Sequence, residues 1–140
     1  MKKIALTAAL VFTLVHCQAQ QKTHPFRGYL YNAEYEVFLR IDFYNQSVSV
    51  PGNELYGQLP GYLGKKNNSF CWAITDAAIT GDDMAELSLI NDYGSEDLKA
   101  TLHHDGDSLY TLKQGRGSTL KVPKNGKWQK LPKTLPFIRK

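Results

Sequence analysis

The chain has 140 residues, a formal net charge of +4, 42% hydrophobic and 11% aromatic residues, and 2 cysteines. That length makes one domain with a single packed core, not a multidomain protein. Two cysteines, one of them near the amino terminus, exclude a disulfide scaffold, so stability must come from packing.

Residues 1–19 read as a secretory signal. Lys2 and Lys3 open it, residues 4–15 are apolar, and small residues lead to cleavage after Ala19. The apolar run is too short to span a bilayer, and the segment is set apart from the fold. Cys17, after Leu14-Val15-His16, opens a rival reading as a lipidated first residue, although His16 stands where such signals carry Gly, Ala or Ser. Either route exports the chain, so the expected location is periplasmic or secreted, with residues 20–140 as the mature domain. Cys71, between Phe70 and Trp72, then reads as a small buried hydrophobe.

In chain order, a strand is expected over 26–31. A second over 35–44 alternates, with Val37, Leu39, Ile41 and Phe43 on one face and Glu36, Phe38, Arg40, Asp42 and Tyr44 on the other. Period two marks a strand with one buried face. A short strand over 47–50 leads into residues 51–64, PGNELYGQLPGYLG, which read as a loop stiffened by two Pro-Gly turns. Strands follow over 70–80, 84–91, 97–103, 108–114, 118–122 and 135–139. Asp105-Gly106 is a hairpin signal, Gly115-Arg116-Gly117 and Asn125-Gly126 read as further turns, and no stretch has capped helical periodicity. The expected fold is all-β: a single antiparallel up-and-down barrel of about eight strands, lipocalin-like in architecture, with a β-sandwich as the alternative.

Charge is unevenly spread. All 13 carboxylates lie between Glu34 and Asp107, and residues 108–140 carry only bases. Cross-strand offsetting and separated charged faces both fit this pattern. Lys121, Lys124, Lys127, Lys130 and Lys133 recur every third residue, the period of a polyproline-II helix that could lie on an anionic envelope surface. Asn125-Gly126 is expected to break that row. Nucleic acid is not an expected partner, because the chain lacks a recognition helix or a basic-aromatic sheet motif.

Signals of catalysis are thin. His103 and His104 would point to opposite faces of a strand, so no metal site is expected there. Asp92, Glu96 and Asp97 lack the spacing of a calcium loop. No Gly-x-Ser-x-Gly elbow is present, and neither an enzyme nor a cofactor is expected.

The 51–64 segment carries Leu55, Tyr56, Leu59, Tyr62 and Leu63, which suit either a contact surface or a lid. The leading expectation is a non-enzymatic binding protein, of the inhibitor or immunity type, directed at an envelope-acting enzyme or toxin. Those five residues, helped by Asp92, Glu96 and Asp97, would form its contact. The alternative is a carrier holding a small apolar ligand, with Phe38, Phe43, Trp72 and Tyr110 around a cavity.

Overall fold

The computed structural model describes residues 24–140; the expected export signal and Cys17 lie outside the described residues. Twelve strands form: β1 (Arg27–Asn32), β2 (Val37–Asp42), β3 (Val48–Ser49), β4 (Gln58–Leu59), β5 (Gly61–Lys65), β6 (Cys71–Gly81), β7 (Met84–Asn91), β8 (Asp97–Gly106), β9 (Leu109–Gly117), β10 (Lys121–Lys124), β11 (Lys127–Lys130) and β12 (Thr134–Arg139). Eight of them close into an antiparallel barrel in the order β1-β2-β5-β6-β7-β8-β9-β12, and β12 returns to β1. The order is an up-and-down meander with two excursions, the β3–β4 ribbon and the β10–β11 hairpin. Closure leaves the barrel no edge, so the sandwich alternative does not apply.

Alternation builds the core as the residue pattern requires. Leu30 on β1 faces Leu39 on β2, which faces Leu63 on β5, which faces Trp72 on β6. All four are fully buried. Leu102 and Leu112 pair across β8 and β9, and Leu135 continues the row on β12. An eight-stranded barrel is just wide enough for side chains to fill it. Phe26 stacks on Phe43 at one end, with ring centroids 5.7 Å apart. At the other end Leu120, Val122 and Leu131 enter the same core from the hairpin and its flanks.

A smaller cluster sits outside the wall. Val50, Tyr62, Cys71 and Ala73 are buried there, with Phe38, Val48, Leu59 and Ile90 packed against them. The β3–β4 excursion therefore lies along the outer face of β5 and β6 instead of standing free.

The structure corrects two sequence expectations. First, residues 51–64 are not one loop, because 58–59 form β4 and 61–65 are a barrel strand. Pro51-Gly52 does make the expected turn: Gly52 has φ +76° and the Asn53 amide donates to the Val50 carbonyl at 3.1 Å. Pro60-Gly61 instead opens β5, where a Cβ at Gly61 would collide with the Arg40 carbonyl oxygen. Glycine there permits close approach of two strands, not a turn. Second, Gly115 and Gly117 belong to β9, where the register with β8 shifts between Leu98 and Ala100. That bulge, with Gly117 at φ +115°, replaces the expected turn. The lysine row is broken as the Asn125-Gly126 turn predicts, with Lys121 opposite Lys130 and Lys124 opposite Lys127.

Candidate functional site

The hairpin end of the barrel gathers the turn between β5 and β6, the turn between β7 and β8, the hairpin itself and the tip of the β3–β4 excursion. At that tip, residues Glu54–Tyr56 form a single 3-10 turn. Its amides are held by Tyr56 donating to the Asn53 carbonyl at 3.1 Å and Gly57 to that of Glu54 at 3.0 Å. Asn53 fastens the turn to the barrel: its side-chain amide donates to the Asp92 carboxylate at 2.7 Å and reaches the Cys71 sulfur at 3.7 Å. Fixed in this way, the turn leaves Leu55 wholly in solvent, at 104% relative exposure.

A cavity of about 320 Å³ lies beneath, lined by Phe38, Asn53, Tyr62, Phe70, Cys71 and Asp92 among others. Burial, and then the Asp92 carboxylate, push the Cys71 thiol up from its ordinary 9.0 to about 11. At neutral pH it is a protonated, inert thiol and not a nucleophile.

Beside this cavity stands a group of aromatic rings. Phe70 meets Trp128 edge to face at 4.9 Å and Tyr93 at 6.5 Å. Tyr93 is 75% exposed and Trp128 55%. The Asn91 side-chain carbonyl accepts from the Ser95 and Glu96 amides at 2.9 and 3.1 Å, which shapes the turn that presents Tyr93. Lys121 and Glu96 form an ion pair at 3.4 Å next to these rings.

The expected contact residues divide. Leu55 is exposed and Tyr56 and Leu59 are half-buried, so all three keep surface to offer. Tyr62 and Leu63 do not: Tyr62 lies under the excursion and Leu63 inside the barrel. They fall on a strand, not a loop, and are corrected from contact residues to packing residues. Asp92 and Glu96 are already engaged, by Asn53 and Lys121. Asp97 is exposed at the start of β8, and its carbonyl accepts from the Ser118 amide at 2.8 Å.

The expected pocket residues do not converge either. Phe43, Trp72 and Tyr110 are core, and the Trp72 indole donates to the Lys121 carbonyl at 2.9 Å while the Tyr110 hydroxyl donates to that of Pro25. Phe38 is on the outer face, its ring lying over Gly64 and stacked on Tyr29 at 5.2 Å. These four side chains surround no common space.

Comparison with family models, with curated proteins and with solved structures finds no match for this chain.

His104 is bonded locally, to Asp83 at 3.0 Å and the Asp107 carbonyl at 2.8 Å, while His103 meets Thr101 at 3.3 Å. Among the described residues no three His, Cys, Asp or Glu side chains are grouped as a metal would need. Lys121–Glu96 is, among the described residues, the one ion pair joining the basic carboxyl-terminal segment to the acidic part. Lys124 and Lys127 stand exposed at the hairpin tip. Asp76 and Glu86 share an open concavity with Lys99, Lys113 and Arg116 across β6 to β9, where cross-strand offsetting has its ground.

Sequence reading missed Tyr93 and Trp128 as surface features and buried Phe70 as their support. The signal available was their placement at turns: Tyr93 precedes Gly94, and Trp128 follows the Asn125-Gly126 turn by two residues.

Proposed function

We propose that this protein is an exported, non-enzymatic barrel that binds another protein at its hairpin end. The partner class is an enzyme or toxin acting in the cell envelope, obstructed by inhibitor- or immunity-type plugging. The observation that carries the reading is Leu55, fully exposed on a turn whose base is tied to the barrel through Asn53 and Asp92. An apolar side chain left entirely in water gains about 1.5–3 kcal/mol on full burial in a partner. A turn already ordered before binding loses little freedom in doing so. Tyr56 beside it adds area of the kind that anchors interfaces. The barrel interior, filled by side chains from both ends, gives the carrier alternative little support.

The test uses the full chain as bait in envelope extract, beside a Leu55→Ala/Tyr56→Ala variant, followed by assay of the hydrolases recovered. The reading predicts a hydrolase held and inhibited by the wild type and released by the variant. Equal recovery by both baits, or recovery without inhibition, overturns it.

A further inference from the structure

We infer that the groove between Tyr93 and Trp128 is a binding site for a neutral sugar ring. The groove encloses about 270 Å³, with Phe70 at its back, the two exposed aromatics as walls, and Ser95, Glu96 and Lys121 along one side. That space admits a single pyranose ring with little to spare. The inference is independent of the protein-binding reading, since Leu55 and Tyr56 do not line this groove.

The walls select against other ligands. Phe70 and Trp128 stand at 69° to one another, and Phe70 and Tyr93 at 44°. Phe70 lies parallel to neither wall, so it pairs with neither to sandwich a flat heterocycle, whereas a puckered ring fits against tilted faces. Glu96 and Lys121, 3.4 Å apart, cancel in charge, so a cation meets an ammonium and an anion meets a carboxylate. A wholly apolar ligand would cover the Ser95 hydroxyl and this ion pair without replacing their bonds to water. A sugar answers all three features. Its C–H face lies on an aromatic ring, and its hydroxyls both donate to Glu96 and accept from Lys121. Tyr93 and Trp128 also carry large apolar area that the barrel does not use, being mostly in water at the mouth of the groove.

The test is fluorescence and indole N–H NMR titration of the full chain with neutral trisaccharides of glucose, mannose, galactose and N-acetylglucosamine. Choline, inorganic phosphate and adenosine are the comparison arms. The expected result is a saturable shift of the Trp128 signal by at least one trisaccharide, with affinity in the millimolar range or tighter. Tyr93→Ala should weaken it by about tenfold, the scale of one well-packed aromatic anchor, and Trp128→Ala, followed on the sugar protons by saturation-transfer NMR, should weaken binding to a similar degree. Glu96→Gln, which keeps the shape and removes the charge, should weaken it less, with the far-ultraviolet circular dichroism unchanged. No shift from any trisaccharide, tighter binding of choline, phosphate or adenosine, or a shift that survives Tyr93→Ala overturns the assignment.

Discussion

Gly61 and Gly64 lie three residues apart on β5 and meet different obstacles. A methyl group at Gly61 would collide with the Arg40 carbonyl oxygen, which is backbone and cannot move aside. At Gly64 it would strike the Phe38 ring, a side chain on the outer wall that can swing. Gly61→Ala should therefore cost about 2 kcal/mol in urea unfolding and Gly64→Ala clearly less; equal costs would contradict the register that sets Gly61 opposite Ile41. Cys71 supplies a second prediction. Its folded thiol titrates at about 11 against an ordinary 9.0. Folding thus favours the neutral form, and that contribution is intact below the ordinary value and lost as pH rises through the folded one. Native protein should react with a thiol reagent far more slowly than unfolded protein at pH near 8, and Asp92→Asn should move the thiol downward. Burial of Cys71 was legible from its apolar neighbours Phe70 and Trp72. The need for glycine at position 61 was not, because close approach of β2 is a tertiary fact that no local pattern carries.

The two excursions decide what the barrel presents. The β10–β11 hairpin closes one mouth: Leu120 and Val122 have no exposure and Leu131 has 3%. Leu120→Ala should cost about 3 kcal/mol, as for a leucine in a packed core, measured by denaturant unfolding. A cost near zero would mean the hairpin rides on the barrel without sealing it. Strands set in a long alternating run were legible; the segment 35–44, which holds β2, is one. The short β5, five residues with a glycine near each end, carried no such run, and two Pro-Gly pairs around it read as turns. The lysine period alone would mislead, but the turn that breaks it was legible beside it. Spacing by three suits an extended helix, yet Asn125-Gly126 turns the segment back, with Asn125 at φ +52° and Gly126 at +75°.

At the scale of the molecule, alternation indicated an all-β fold and favoured a barrel over a sandwich, since eight half-buried strands without crossover helices have few other ways to hide one face; closure itself comes from the pairing of β12 with β1. Alternation could not say whether the barrel holds a ligand, because core residues and pocket residues are the same types. Packing distinguishes them: Phe26, Phe43, Trp72, Tyr110 and Phe137 occupy the interior and its ends. An apolar dye such as anilinonaphthalene sulfonate should therefore fail to bind the native protein and bind only on partial unfolding; strong native binding would favour a carrier. Surface chemistry was legible only in part. Leu55 and Tyr56 were visible in the sequence, while Tyr62 and Leu63 were drawn into the same segment by proximity along the chain.

The most direct measurement of the proposed recognition is methyl and aromatic NMR mapping during titration with a hydrolase recovered from envelope extract. Recognition at the rim predicts shifts confined to Leu55, Tyr56 and their neighbours at the hairpin end, with Leu39, Leu102 and Leu112 inside the barrel unmoved. Shifts spread through those interior leucines, with Leu55 silent, would contradict it.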